Sequence, residues 1–534
     1  MAATNDNKDR QVVPRWRTFR EALASNELSS TSVLKSPKID ATEFIREKED
    51  DWKANKAIPF ALDLISAATV LGKTDVSIEA AEFILENEAG TSATGKDIAR
   101  SLLGIKEPAS PIINPQSRIQ IIEGLKELKQ KRISQGKNAF VWVDLARLYT
   151  ILGQNNQARQ ALRIALMLAP SERFVLRSTV RFLHHIDENE EAVSLLRKTP
   201  RTLEDPWLMA AEIAASGVAE TTPRFAKQGA LFLDKADIHR FHTSELASAL
   251  ATLEMRAGKH RHSNKLFRAS LFNPTQNALA QAVWANKKAG LDAINPELLV
   301  QAHASEAITL DYFNRGAWQE VLIGAEKWAE EESFSPRPHG LASSVASSLL
   351  DRPDQAEKIA DKGLEANPTN PVLLNNKAFA QIIQGKVTEA ITTLKKVDLH
   401  TANRFSHICI LATTGLAAFR LGEHAEGRRY YQTAISMADA PEDFGLKTLA
   451  SLYLAREEVA LGNKEGFADF KRAFKAAEKL QNTNIPAIAE HLAFDIEKAA
   501  ARQDISFKID KPTKPILIEC DFFAQKGQSI IRRK

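Results

Sequence analysis

Apolar residues recur along most of the chain at the spacing of amphipathic helices. Trp142, Leu145 and Tyr149 stand three and four positions apart, which places them on one face of a helix. Gly153 interrupts the pattern, a second helix of similar length follows, and Pro170 ends it. The pattern therefore predicts antiparallel helix pairs joined by short turns, in an all-α chain.

The same pattern returns with a period of 34 residues. Leu176 follows Trp142 by 34 positions, and Leu196 follows Leu162 by the same interval. A second well-phased run begins at Tyr312 and continues to about residue 480, with Asp351 at one turn where glycine is usual. Residues 203–300 also read as helix pairs with a less regular phase. A fixed period of this length predicts a repeat architecture in which neighbouring pairs share one elongated core.

The residues of one unit resemble the consensus of the tetratricopeptide repeat, W-x2-L-G-x2-Y followed by Gly, Ala, Phe, Ala and Pro. Ala146 stands for the consensus Gly and Leu162 for the Phe. The resemblance extends over residues 139–480 and implies a superhelical solenoid of about ten antiparallel helix pairs, stacked right-handed between about residue 57 and about residue 500. The matching positions are Trp142, Leu145, Ala146, Tyr149, Gly153, Ala158, Leu162, Ala165 and Pro170.

We expect four parts in the chain. The apolar sequence Pro515 to Phe523 predicts one short strand in the last part. The expected parts are a polar, partly flexible N-terminal arm with one short helix at residues 1–55, degenerate helical repeats at 56–138, the solenoid at 139–500, and a β-like C-terminal tail at 501–534.

Charge and cysteine content narrow the function classes. The 71 basic residues exceed the 67 acidic residues by only four, which is little for a dedicated nucleic-acid binder. Cys409 and Cys520 lie far apart without a Cys/His metal spacing, as expected in a reducing compartment. No signal-peptide or membrane-spanning pattern is present in the sequence, so we expect a cytoplasmic protein with no membrane partner.

Two patterns that resemble catalytic or metal chemistry lack their required context. Gly90 to Lys96 fits GxxxxGK, but a helix precedes it instead of a strand, and Asp97 replaces the hydroxyl that would hold magnesium. We interpret this stretch as a loop between helices. Some histidines stand close together in the sequence, but no metal-binding motif accompanies them. These pairs are His184 and His185, His239 and His242, His260 and His262, and His400 and His407. The sequence predicts a non-enzymatic protein without catalytic residues, metal or cofactor.

The resemblance implies that the first helix of each pair lines a concave groove. Arg147 and Arg181 occupy equivalent positions 34 residues apart, and Arg177 lies one turn before Arg181. Arginine clusters favour carboxylate or phosphate ligands, while an ordinary solvated face is the alternative. We predict a partner-binding groove formed by Arg147, Arg177, Arg181, Phe174, Asn375, Asn376 and Phe379.

Both ends of the chain mix basic residues with aromatic ones, as in the stretch from Arg10 to Arg20. These ends either contact nucleic acid or an acidic protein, or serve as solubilising tails. The leading hypothesis is a scaffold or regulatory subunit that holds a protein or peptide partner, possibly an acidic one, in the groove. The alternative is a helical-repeat binder of RNA or single-stranded nucleic acid. The sequence leaves the partner's identity and the oligomeric state open.

Overall fold

Helices account for nearly all regular structure in the described part of the chain. The computed structural model describes residues 10–25, 27–28, 41–71, 73–87, 91, 93–105, 118–234, 238–289, 294–302, 304–399, 402–480 and 483–502. These residues form 27 α-helices and two short 3-10 helices, Pro200–Leu203 and Pro441–Asp443.

The chain divides into two compact units. The N-terminal unit comprises Arg10–Thr150 and Gln154–Asp311. Its helices are α1 (Phe19–Ala24), α2 (Ala41–Ala54), α3 (Ile58–Leu71), α4 (Asp75–Glu86), α5 (Ala93–Leu102), α6 (Arg118–Ser134), α7 (Ala139–Ile151), α8 (Asn155–Leu168), α9 (Arg173–His185), α10 (Asn189–Lys198), α11 (Pro206–Val218), α12 (Ala226–Leu233), α13 (Arg240–Arg256), α14 (His260–Ser270), α15 (Gln276–Ala289), α16 (Pro296–Gln301) and the beginning of α17 (Ser305–Arg315).

The C-terminal unit begins within α17, at Tyr312, and its described part ends with α27. Its remaining helices are α18 (Trp318–Glu331), α19 (Pro336–Ser348), α20 (Pro353–Ala366), α21 (Pro371–Ile383), α22 (Val387–Leu394), α23 (Arg404–Arg420), α24 (His424–Met437), α25 (Phe444–Ala460), α26 (Glu465–Ala477) and α27 (Ile485–Arg502).

Small residues allow the two helices of a pair to approach closely. In the pair α7 and α8, Ala146, Ala158 and Ala165 are fully buried, and Leu145 and Leu162 fill the space between the helices. Trp142, which the repeat pattern predicts as a buried wedge between the paired helices, is less buried than these residues. It is half-buried, and its indole Nε1 donates to the Gly136 carbonyl oxygen at 2.9 Å.

The turns within pairs require the left-handed backbone region. Gly153 has a φ of 71°, which glycine adopts without a steric cost. Asp351 stands where the repeat usually has glycine and still adopts a φ of 52°. Aspartate tolerates this region better than most residues, so the turn is kept despite the substitution.

Each unit buries apolar residues contributed by successive helices. In the C-terminal unit one cluster runs from Val372 on α21 to Ala500 on α27. In the N-terminal unit, one cluster joins α2 to α5 around Trp52, and another joins α11 to α13 around Ile213 and Leu246. No helix among the described residues is long and apolar enough to cross a membrane.

The predicted fold class is confirmed: the chain is all-α and built from stacked antiparallel helix pairs. The strand predicted at residues 515–523 lies outside the described residues. The limits of the four predicted parts stay predictions; among the described residues, α1 (Phe19–Ala24) lies where the arm was expected to contain one short helix.

Candidate peptide-binding groove

Residues 10–28 of the chain, called here the N-terminal segment, lie against the helices of the N-terminal unit. Residues 10–18 form no regular structure, and α1 follows, with Thr18 and Glu21 forming a capping box. Arg10, Val12 and Trp16 are buried. The basic, aromatic start of the chain is therefore packed in the described structure, which corrects the expectation of a solubilising tail.

The side chain of Arg10 occupies a buried polar pocket. Its Nε and Nη2 donate to the two carboxylate oxygens of Glu306 at 2.8 Å each. Nη1 donates to Gln281 Oε1 at 2.6 Å, and Nη2 also donates to Asn277 Oδ1 at 2.9 Å. Arg15 Nη2 adds a third bond to Glu306, at 2.9 Å. The Glu306 side chain is only 1% exposed, so two arginines of the segment neutralise one buried carboxylate.

Three scaffold side chains bind the backbone of the N-terminal segment. Gln281 Nε2 donates to the Arg10 carbonyl oxygen at 2.6 Å, and Asn277 Nδ2 donates to that of Val13 at 2.9 Å. Asn277 and Gln281 lie four residues apart on α15 and therefore share one helix face. Arg147 Nε donates to the carbonyl oxygen of Trp16 at 3.2 Å. Such bonds hold an extended chain whatever its side chains are.

Three apolar side chains of the segment pack against the helices. Val12 is fully buried in the cluster formed by α11 and α13. The ring of Trp16 meets Phe182 edge to face, with centroids 6.2 Å apart. Phe19, the first residue of α1, stacks on Phe140 with ring centroids 4.2 Å apart. Side-chain pockets of this kind give a peptide groove its sequence preference.

The residues predicted for this groove are buried by the segment or by one another. Arg147 binds the Trp16 carbonyl oxygen, as described above. Arg177 forms two bonds with Glu245, at 2.9 and 3.2 Å, and lies over the Trp207 ring. Arg181 is buried, and Phe174 meets Phe19 edge to face at 5.8 Å. The three arginines therefore form no exposed basic face, because all three are buried and Glu245 already neutralises Arg177. A role for these residues in partner binding stays a prediction.

The electrostatics of the groove reflect this burial. Burial raises the pKa of Asp144 to about 6, against the lowering effects of the Phe19 amide, which donates to Asp144 at 2.9 Å, and of Arg147. On α9, burial lowers the pKa of His184 to about 4 and that of His185 to about 3, and the positive charge of Arg181 adds to both shifts. Both histidines are therefore neutral at neutral pH.

In the C-terminal unit, the predicted residues have structural roles. Asn376 is fully buried, and its Nδ2 donates to the Gly340 carbonyl oxygen and to Ser343 Oγ, each at 3.0 Å, which joins α21 to α19. Asn375 is also buried. Phe379 packs edge to face on Tyr453 at 5.6 Å. Of these three residues, only Phe379 lines a cavity in this unit, which is described next.

That cavity has a volume of about 510 Å³ and is open to solvent. Its wall includes Glu457, which accepts from Arg420 Nη2 at 3.1 Å and from Arg456 Nε at 2.9 Å. Arg456 also lies over the ring of Tyr453. Both arginines belong to the helices of the same unit, so this carboxylate is neutralised without any added segment.

The GxxxxGK stretch is placed differently from the prediction. Gly95 and Lys96 lie inside α5, which begins at Ala93, so this part is helix and not the loop that we expected. Gly90 lies outside the described residues. Asp97 follows Lys96 within α5, at the position where a P-loop has the hydroxyl that holds magnesium.

Glu306, Asn277 and Gln281 are the groove residues that sequence reasoning missed. The Asn277 and Gln281 spacing is an available signal, since two amides four residues apart on an apolar helix share one face. No local pattern links them to Arg10, which is 296 residues from Glu306 in sequence.

The tetratricopeptide repeat family model matches residues 141–172, the pair formed by α7 and α8. This match agrees with the spacing of the sequence: the chain contains a tetratricopeptide repeat within its series of helix pairs. A search of curated proteins gave no match.

Three solved structures illustrate what this chain is similar to. A human IFIT1 dimer with PPP-AAAA is 15% identical, with 72% of this chain and 97% of that chain covered and a TM-score of 0.37. The APC/C hetero-tetramer Cut9–Hcn1 is 9% identical, with coverages of 88% and 94% and a TM-score of 0.39. Yeast Tom70 is 12% identical, with coverages of 86% and 96% and a TM-score of 0.31. At these values the similarities assign neither a ligand nor a partner to this chain.

Proposed function

We propose that this protein is a non-enzymatic scaffold or regulatory subunit that holds an extended peptide segment in the groove of its N-terminal unit. The observation that carries the proposal is the binding of the segment's backbone by Gln281, Asn277 and Arg147. Scaffold side chains that bind carbonyl oxygens of an extended chain are a general device of peptide recognition. A cytoplasmic location, expected from the cysteine spacing, belongs to this proposal.

The test converts the N-terminal segment into a separate ligand. A protease site is inserted between residues 28 and 41 of the full chain, and the site is cleaved after folding. A fluorescent synthetic peptide of residues 10–28 is then titrated, and its anisotropy is followed. We expect saturable binding with one site per chain as the labelled peptide exchanges with the cleaved segment.

A peptide of the same composition in shuffled order is the control. It keeps the charge of the segment but loses the alternation of Val12, Trp16 and Phe19 with the arginines. If neither peptide binds, the proposal is contradicted, whether the cleaved segment stays in the groove or leaves it. Equal binding of both peptides means that charge alone attracts them and contradicts a peptide groove.

A second candidate function, binding of RNA or single-stranded nucleic acid, is supported by one surface. Residues 255–291 contain no Asp or Glu but seven Lys and Arg. On α14, Arg261 and Lys265 are exposed and lie four residues apart on one face. A basic helix face of this kind attracts phosphate backbones through charge neutralisation.

Charge reversal separates this candidate from the first. The double variant Arg261→Glu/Lys265→Glu is compared with Lys471→Glu/Lys475→Glu on α26, an exposed pair with the same spacing in the C-terminal unit. A nucleic-acid surface predicts that only the first variant loses binding of single-stranded RNA in mobility-shift assays. Equal behaviour of the two variants removes the candidate.

A further inference from the structure

We infer that the groove selects a partner segment with an arginine five residues before an arginine–aromatic pair, and that residues 10–28 compete with this partner. The inference rests on the proposed function and specifies its ligand. Within the N-terminal segment, the pattern is Arg10, then Arg15 and Trp16. Each of these three side chains is buried in the groove.

The pocket around Arg10 is built for a guanidinium group. Glu306 accepts from two different nitrogens of Arg10, while Gln281 and Asn277 accept from the terminal ones. These acceptors lie around a planar group with several N–H donors in a fixed arrangement, which is the geometry of arginine. A lysine ammonium offers three donors from one atom and cannot reach both carboxylate oxygens and both amides in this way.

The groove also favours a cation. Glu306 is almost completely buried, and it forms ion pairs with Arg10 and Arg15 of the N-terminal segment. Departure of the segment without replacement leaves a buried carboxylate without these partners, which is strongly unfavourable. An occupant that brings arginines to the same two places removes this cost. A basic segment therefore fits the site, and an acidic one does not.

The position five residues further along fixes the aromatic part of the pattern. Arg15 also donates to Glu306, and Trp16 next to it forms an edge-to-face pair with Phe182 on α9. The Trp16 carbonyl oxygen accepts from Arg147, which sets the register between the arginine pocket and the aromatic pocket. A spacing other than five places either the arginine or the aromatic ring outside its pocket.

Competition follows from covalent connection. A segment of the same chain is present at its groove at an effective concentration on the order of millimolar for short connections. A partner segment must therefore carry the same contacts to replace it, or must act when the N-terminal segment is held elsewhere. Residues 10–28 thereby act as a built-in competitor.

The first experiment measures selectivity with the cleaved full chain described above. Four labelled peptides of residues 10–28 are compared: the unchanged peptide and the variants Arg10→Lys, Arg10→Ala and Trp16→Ala. We expect each change to weaken binding about 10- to 100-fold, because a charge-assisted or buried aromatic contact is lost. If the unchanged peptide binds and the Arg10→Lys and Arg10→Ala peptides bind equally well, the inference is overturned while the proposed function stands. If no peptide binds, the proposed function itself fails.

The second experiment measures competition in the uncleaved chain, so it does not depend on cleavage. The labelled wild-type peptide is titrated into the intact protein and into its Arg10→Ala variant. We expect about 10-fold tighter binding to the variant, because its own segment holds the groove less firmly. A matched chain with Glu79→Gln, an exposed residue on α4 that pairs with Lys56, should bind the peptide as the wild type does. Equal binding to all three chains overturns the competition.

Discussion

The two units pair a buried groove carboxylate with arginine in different ways. In the C-terminal unit, Glu457 is neutralised by Arg420 on α23 and Arg456 on α25. This carboxylate lines an open cavity of about 510 Å³. In the N-terminal unit, Glu306 is neutralised by Arg10 and Arg15, which come from the start of the chain. Both arrangements place two arginines on one carboxylate.

The difference shows what makes a repeat groove ready for a basic ligand. A carboxylate that already has scaffold arginines gains little from an added one, because its charge is compensated where it lies. In the N-terminal unit, positive charge at Glu306 comes from a segment at the start of the chain. The groove of the N-terminal unit therefore binds arginine, and its own segment is the occupant that the structure contains.

The largest expected effect concerns the ion pair of Arg177 and Glu245. We expect Arg177→Ala to lower the free energy of unfolding of the N-terminal unit by about 3–5 kcal/mol, because Glu245 is left as a buried carboxylate without its partner. The comparison is Arg420→Ala in the C-terminal unit, whose side chain is 40% exposed and whose loss should cost about 1 kcal/mol or less. Denaturant unfolding of both variants measures the difference; equal losses would contradict it.

The next largest expected effect is the loss of stability when a tryptophan in each unit is replaced by alanine. Trp328 in the C-terminal unit is 2% exposed, and we expect Trp328→Ala to cost about 3–5 kcal/mol, as for other buried aromatic residues. Trp142 in the N-terminal unit is half-buried, so Trp142→Ala should cost only about 1–2 kcal/mol. Unfolding midpoints in denaturant measure both. A larger loss for Trp142 would restore its predicted position between the paired helices.

Acid should affect the N-terminal unit more than the C-terminal one. The pKa values of His184 and His185 are lowered to about 4 and about 3, so their stabilising effect is present above pH 6.5 and is lost as the pH falls through these values. Among the described histidines of the C-terminal unit, burial lowers the pKa of His339 to about 4. Hydrogen exchange at about pH 7 and about pH 5 should show a loss on the order of 1–2 kcal/mol per histidine. Equal losses in both units would contradict this.

Asp144 should give the smallest effect, with the opposite pH dependence. Burial raises its pKa from 3.8 to about 6, so the stability linked to its protonated form is present below pH 3.8 and is lost as the pH rises through 6. Asp144→Asn should stabilise the protein by about 1–2 kcal/mol near pH 7 and leave it unchanged near pH 3. Glu79→Gln is the exposed control. A destabilised variant near pH 7 would show that the charge of Asp144 is needed to hold Phe19.

Local patterns predicted the repeats well. The 34-residue period and the small residues Ala146, Ala158 and Ala165 depend on contacts within one helix pair, which a short stretch of sequence encodes. The half-buried setting of Trp142 could not be derived in this way, because the consensus position does not reveal what covers it. The helical setting of Lys96 was missed because helix and loop are hard to separate in a short polar stretch.

The occupant of the groove could not be predicted, because it depends on contacts over very long sequence separations. Arg10 and Glu306 are 296 residues apart, and Arg177 and Glu245 are 68 apart. Periodicity placed Arg147, Arg177 and Arg181 on the groove face. It gave no sign that Arg147 would bind the Trp16 carbonyl oxygen or that Arg177 would pair with Glu245. The basic, aromatic composition of residues 10–20 was the one available sign of the segment.

The most direct test of the central claim is a photo-crosslink from within the N-terminal segment. A benzophenone amino acid replaces Phe19, the full chain is irradiated, and the adducts are mapped by mass spectrometry. The ring centroid of Phe19 lies 4.2 Å from that of Phe140 and 5.8 Å from that of Phe174. We therefore expect adducts to α7 and α9 of the same chain. Adducts confined to other helices, or none above the level of the same label at exposed Arg20, would contradict the account.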